Sequence, residues 1–115
     1  PISPMVPHGD QVWRDIVVWT LNSLITAEEY GITSKNIDKM RSSSTNPFIQ
    51  RVLGKTGKFG GKIGLGKDWA YRAIKAVGNY GEIWENHLGK HGLGMPRGKN
   101  ELYTNGGLLI SPPFR

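Results

Sequence analysis

Three groups of residues in this 115-residue chain have types and spacings that chemistry uses. The first is Gly61-Lys62-Ile63-Gly64-Leu65-Gly66-Lys67-Asp68, which follows the phosphate-cradling pattern G-x-x-x-x-G-K up to its last position. There the pattern needs the hydroxyl of Ser or Thr to hold magnesium, and Asp68 stands instead. It also needs an apolar strand in front, whereas residues 55–60 read as glycine–lysine loop. A nucleotide hydrolase would depend on Lys67; the segment itself reads as a flexible basic loop ending in an Asp cap. The second group is His87 and His91, four apart, a spacing that puts two imidazoles on one helix face. Gly89 and Gly92 interrupt that helix and no third ligand stands nearby, so both histidines read as solvated. The third is Glu82 and Glu85, three apart, which as a pair would suit glycoside hydrolysis. On one helix they project together to solvent and do not flank a substrate, so they read as a polar face. Neither a G-x-S-x-G elbow nor an H-E-x-x-H pair occurs. No catalytic residue, metal ligand or cofactor is therefore assigned, and no enzyme activity is expected.

The elements that would position these residues are mostly helices. Residues 1–9 carry three prolines and read as extended, with Ile2, Met5 and Val6 suited to a short edge strand. Asp10 is placed to cap a helix from Val12 to Tyr30, with Asp15 favouring its dipole and Gly31 ending it. Trp13, Ile16, Val17, Leu21, Leu24 and Ile25 fall on one face, and Val12, Val18 and Trp19 widen it. So broad an apolar surface calls for cover on more than one side. Ser34 or Asn36 starts a short helix through Ile37 and Met40, and Asn46-Pro47 starts another through Leu53. Glycines at 54, 57, 60, 61, 64 and 66 make a low-complexity loop with no packed structure expected before Ile63 or Leu65. Asp68 opens the next helix, with Trp69, Ala73, Ile74 and Val77 on one face. Gly78-Asn79 breaks it, and Tyr80, Ile83, Trp84 and Leu88 continue at helical spacing to Gly89. One turn at residues 101–103, an extended apolar piece at 108–110 and a proline-stiffened tail complete the chain.

The length suits one modest domain rather than two. Without cysteine there is neither a disulfide nor a thiolate metal site. No apolar run reaches a membrane span, and Pro1 to Pro7 has neither the basic nor the apolar region of a signal peptide. A net charge of +6 favours anionic partners, although exported proteins are often simply basic. Aromatic rings among lysines would suit nucleic acid, so a small nucleic-acid-binding protein using loop 54–67 is an alternative reading. Trp13, Trp19, Trp69 and Trp84, however, lie on the apolar helix faces and read as core.

A longer set of residues carries a resemblance. His8-Gly9-Asp10, Asp15-Ile16-Val17-Val18-Trp19-Thr20-Leu21 and Ala27-Glu28-Glu29-Tyr30-Gly31-Ile32-Thr33 resemble the C-terminal part of periplasmic amino-acid-binding proteins, the family 3 solute receptors of ABC transporters. Asn46-Pro47, Arg51-Val52-Leu53-Gly54, Asp68-Trp69-Ala70-Tyr71, Gly78-Asn79-Tyr80-Gly81-Glu82-Ile83, Gly106-Gly107-Leu108 and the closing Pro112-Pro113-Phe114-Arg115 continue the likeness. The resemblance implies a chain that is mainly α by itself and is the helical C-terminal portion of an α/β, type II periplasmic-binding-protein fold. It implies one unit over 1–115: an extended return segment (1–9), a long helix (10–31), short helices and the Gly/Lys loop (32–67), a closing helix pair (68–89) and a C-terminal tail (90–115). It further implies an L-amino acid and a membrane permease as partners of the full receptor, a periplasmic location, and no amino-acid-contacting residue that can be named in this chain. The lone chain is expected to bind no amino acid and to bury its Trp13/Trp19 face by self-association or repacking.

Overall fold

The computed structural model of the chain describes residues 3–57 and 59–114. Ile2, Lys58 and Arg115, which entered the expectations above, lie outside the described residues. Six helices run in order: α1 (Gln11–Glu29), α2 (Ile37–Ser43), α3 (Pro47–Val52), α4 (Phe59–Lys62), α5 (Trp69–Val77) and α6 (Tyr80–His87). Two single 3-10 turns, Gly98–Asn100 and Tyr103–Asn105, follow. Among the described residues there is no strand, only a parallel bridge between Leu102 and Leu109. The expected edge strand is therefore absent from residues 3–7, and Met5 stands almost fully exposed.

Local side-chain chemistry sets the helix ends. Asp10 accepts the Trp13 N–H at 2.9 Å and starts α1. Asp15 lies beyond the first turn and pairs with Arg14 at 3.5 Å, so it does not act on the dipole there. At the other end Gly31 adopts φ 70°, Ile32 N–H reaches Ala27 O at 2.8 Å and Gly31 N–H reaches Glu28 O at 3.1 Å. This is a Schellman ending, and its apolar follower Ile32 is fully buried. Asn46 caps α3 by accepting from Phe48 N–H. Asp68 occupies the cap position of α5, but its side chain accepts no capping bond and instead meets Arg72 at 3.4 Å. Asn79 and Glu82 form a capping box at α6.

Against α1 pack α5 and α6, and α2 packs on α3 and α5. The core gathers Leu24 and Ala27 from the second half of α1, then Ile32, Ile37, Ile49, Val52, Leu53, Ile63, Trp69, Ala70 and Ile74. The tail closes it: Phe114 lies 5.4 Å from Trp19, 5.2 Å from Phe59 and 6.0 Å, stacked, from Trp69. Arg51 fixes that end by donating to Phe114 O at 2.8 Å. Packing therefore begins earlier in the glycine-rich segment than composition suggests. Phe59 joins this aromatic cluster and Gly60 is buried, where a Cβ would run into the Gly66 carbonyl and the Trp69 ring. Glycine's missing side chain here serves close approach rather than freedom.

Two apolar positions expected in the core are not. Trp13 is 48% exposed and Val77 54% exposed. Val12 is exposed too, and only residues 23–27 of α1 are buried. The first turn of α1 (11–14) is exposed, residues 15–22 are half-buried with Trp19 packed on Phe59 and Phe114, and residues 23–27 are buried.

Candidate functional site

Of the three chemically suggestive groups the structure brings two to one place: Glu82, Glu85 and His91 line an open depression of about 470 Å³ with Ser34, Lys35, Gly81 and Asn86, and residues 61–68 take no part in it. Residues 61–68 begin within the single turn α4, not after a strand, and the chain folds back on that turn, with Leu65 N–H donating to Gly60 O at 2.8 Å. Lys67 is exposed. His87 ends α6, whereas His91 lies past it in a turn where its N–H donates to Glu85 O at 2.9 Å. Among the described residues no three His, Cys, Asp or Glu side chains gather as metal ligands would.

Glu82 corrects the expectation of a solvated acidic face. Its carboxylate accepts the Ser34 N–H at 2.9 Å, the Ser34 hydroxyl at 2.6 Å and the Asn79 N–H at 3.2 Å. Asn79, itself buried, donates through its side-chain amide to Ile32 O at 2.8 Å. The exit of α1 is thus bonded to the corner between α5 and α6. Glu85 turns elsewhere and accepts from Lys90 N–H at 2.9 Å. No pattern in the sequence pairs Ser34 with Glu82, because 48 residues separate them.

A second polar cluster ties the glycine-rich segment after α6 to α1. The Arg97 Nη1 lies 2.5 and 3.0 Å from the two Glu28 carboxylate oxygens and 3.2 Å from Glu101, and Nη2 donates to Asn100 O. Burial opposes the Arg97 charge, but the Glu28 hydrogen bond and then the Glu28 and Glu101 charges outweigh it and hold the guanidinium above its usual pKa. Its Nε is buried without a partner. On the surface, Tyr71 donates to Asp38, and Lys75 sits 3.2 Å from both the Tyr71 hydroxyl and Asp38 Oδ2. In both clusters the charged groups are paired with each other, and among their buried side-chain atoms only Arg97 Nε is left without a partner.

Besides the depression at Glu82, Glu85 and His91 and one of about 240 Å³ beside Met95 and Arg97, two further concave surfaces flank α1. A pocket of about 120 Å³ lies between the last turn of α1, α3 and the tail, where Tyr103 donates to Glu29 at 2.8 Å. That hydrogen bond, reinforced by the Glu29 charge, raises the Tyr103 hydroxyl above its ordinary value. A groove of about 290 Å³ runs along the first half of α1, between Val17, Val18 and Leu21 on the helix and Ser3, Pro4 and Val6 of the preceding segment, with Arg14 and Asn22 also lining it. Apart from the exposed Arg14, its helix residues are half-buried and mostly apolar, a surface suited to another layer of protein rather than to a reaction.

No family model matches the chain. It is 50% identical over 116 residues to the glutamate/glutamine/aspartate/asparagine-binding protein BztA of Rhodobacter capsulatus. It is 48% identical over 118 residues to the general L-amino acid-binding periplasmic protein AapJ of Rhizobium johnstonii. A putative amino-acid ABC transporter-binding protein of Escherichia coli, YhdW, is 43% identical over 116 residues. Each alignment takes in all of this chain and 34% of the relative. Among solved structures, an ABC transporter periplasmic binding protein from Brucella ovis with glutathione bound superposes at a TM-score of 0.91 with 47% identity, over 96% of this chain and 35% of that one. The chain spans about a third of the length of the relatives it matches. These are solute-binding proteins, and nothing in the comparisons supports the nucleic-acid alternative. The helical fold and the resemblance read from the sequence thus agree: over its whole length the chain is homologous to one third of the amino-acid-binding periplasmic proteins of ABC transporters.

Proposed function

We propose that these 115 residues act as one unit, the C-terminal helical third of the solute-binding component of an amino-acid ABC transporter. In that reading the chain is not catalytic. It is the structural close of one lobe of a receptor that works in the periplasm, takes up an L-amino acid and delivers it to a membrane permease. The amino acid is clamped by residues outside the chain, so the chain alone does not bind it. The observation that carries this reading is the even match of the whole chain to 34% of amino-acid receptors, at up to 50% identity. The first half of α1 supports it from physics: an amphipathic helix with an exposed first turn and an apolar groove beside Val17, Val18 and Leu21 is suited to a further layer. In the parent receptor the rest of the lobe covers that face; in the isolated chain a second copy does. The described helices include none long and apolar enough to cross a membrane.

The test is a chimera in which this chain replaces the matching third of BztA. Calorimetry should show glutamate or aspartate binding by the chimera and none by the 115 residues alone. A chimera that folds cooperatively yet leaves these ligands unbound, or micromolar binding by the lone chain, would overturn the reading. Sedimentation of the lone chain decides its self-association: a monomer at every accessible concentration removes that part.

A further inference from the structure

The positive charge of this chain is confined to one stretch. Residues 51–75 hold seven basic residues and one acidic residue, and the eight basic and eight acidic residues elsewhere cancel. The whole net charge of +6 therefore belongs to the region from α3 to α5. Several of these cations are already engaged. Arg51 donates to Phe114 O, Arg72 meets Asp68 at 3.4 Å, and Lys75 meets Asp38 at 3.2 Å. Lys55, Lys62 and Lys67 are exposed and have no acidic partner within 4 Å among the described residues; the Lys55 ammonium reaches only the Ser42 carbonyl, at 3.4 Å.

The backbone gathers these lysines. Gly54 packs so closely on the Lys67 carbonyl and Asp68 that a Cβ at position 54 would collide with both, so the segment leaves and re-enters the core at one place. Lys55 and Lys67 flank that closed base, and Lys62 ends the turn α4 between them. Such a compact surface loop with adjoining ends is an Ω-shaped loop. Its apolar residues face inward, with Ile63 buried and Phe59 and Leu65 packed on the core.

From this we infer that loop 54–67 seats the protein on an anionic bilayer surface through Lys55, Lys62 and Lys67. The chemistry favours lipid headgroups over an acidic protein. Protein interfaces are built on aromatic and arginine anchors and are depleted in lysine. This loop offers lysine alone, on glycine-rich backbone, with its rings turned away, and a diffuse sheet of phosphates needs no more than that. With no ring exposed for insertion, attachment is electrostatic and reversible. The inference stands on charge and geometry and does not depend on the receptor reading.

Co-sedimentation of the whole chain with phosphatidylcholine vesicles, with and without phosphatidylglycerol, tests it. Binding should require phosphatidylglycerol and fade as salt rises. The triple variant K55Q/K62Q/K67Q should bind roughly a hundredfold more weakly, about fivefold per lysine. The charge-matched triple K35Q/K39Q/K90Q should keep most of the binding, and circular dichroism confirms that both variants are folded. Equal losses in the two triples would overturn the inference, as would equal binding to neutral vesicles. It would fail also if the chain ignored anionic vesicles while binding a polyglutamate peptide or duplex DNA. Displacement by inorganic phosphate at matched ionic strength would point to a discrete phosphate site and likewise overturn it.

Discussion

Glu82 holds Ser34 by both donors that serine possesses, with the backbone N–H on one carboxylate oxygen and the hydroxyl on the other. Because the same carboxylate closes the capping box at Asn79, one side chain joins the start of α6 to the chain leaving α1. Replacing it by alanine removes a cap and leaves partly buried donors unpaired. Glu82→Ala should therefore cost about 2–3 kcal/mol, read as a lower urea midpoint at unchanged slope. A double-mutant cycle with Ser34→Ala should show a coupling of at least about 0.5 kcal/mol; additivity would mean that the contact contributes nothing.

Arg97 and Glu28 are each nearly buried, and each is the other's principal counter-charge. Removing one partner strands the other, so Arg97→Ala should cost about 3 kcal/mol. Arg97→Lys should recover only part of this, because an ammonium cannot reproduce the contacts to Glu28, Glu101 and the Asn100 carbonyl together. Thermal melts of the three proteins in one buffer decide it, and a lysine variant as stable as the parent would show that charge alone is at work.

The surface trio of Asp38, Tyr71 and Lys75 should impose a pH dependence with two limbs. Asp38 lies below its ordinary value because Tyr71 and then Lys75 hydrogen-bond its carboxylate. Its stabilisation is complete above the unfolded value of about 4 and is lost as pH falls through the lower folded value. Lys75 lies above its ordinary value, held first by Tyr71 and then by Asp38. Its contribution is complete below about pH 10 and is lost as pH rises through the higher folded value. The two charged members, Asp38 and Lys75, are in solvent, so the limbs are shallow. Tyr71→Phe should flatten the acid limb of a melting-temperature profile, and superimposable limbs would rule the trio out.

The two halves of α1 and the faces of its partners should respond differently to truncation. Ile74 has no exposed surface, and Ile74→Ala should cost about 2–5 kcal/mol. Val12→Ser and Trp13→Ser, on the exposed first turn, should each stay within about 0.5 kcal/mol in dilute, monomeric protein. Chemical denaturation of each variant provides the comparison, and a large loss at Trp13 would mean that the face is covered.

The helix ends were legible in the sequence because their causes are local. Asp10 and Asn46 act on N–H groups two or three residues away, and Gly31 acts through its own φ, although Asp68 opens α5 without a capping bond and Asn79, read only as a break, caps α6. What covers a face is not local. Trp13 and Val77 sit at correct apolar positions, yet periodicity groups residues on a side without saying whether anything lies against it. Phe59 and Gly60 were hidden because glycine-rich composition usually signals freedom, and here it permits backbone to touch backbone and ring. Glu82 was misread for the same reason: its spacing to Glu85 is local, and its partner Ser34 is not.

One helix therefore behaves as a cantilever. From Ser23 to Ala27 α1 is clamped in the core, residues 15–22 are half-buried, and the first turn (11–14) projects into solvent. Amide exchange along this single element should be graded, slow as global unfolding at the clamped end and fast by fraying at the free one. The clamped end also sets the direction in which the free end points, so an incoming layer meets a surface whose angle is already fixed. Assembly on α1 would proceed as docking onto a preset beam rather than as folding and binding together.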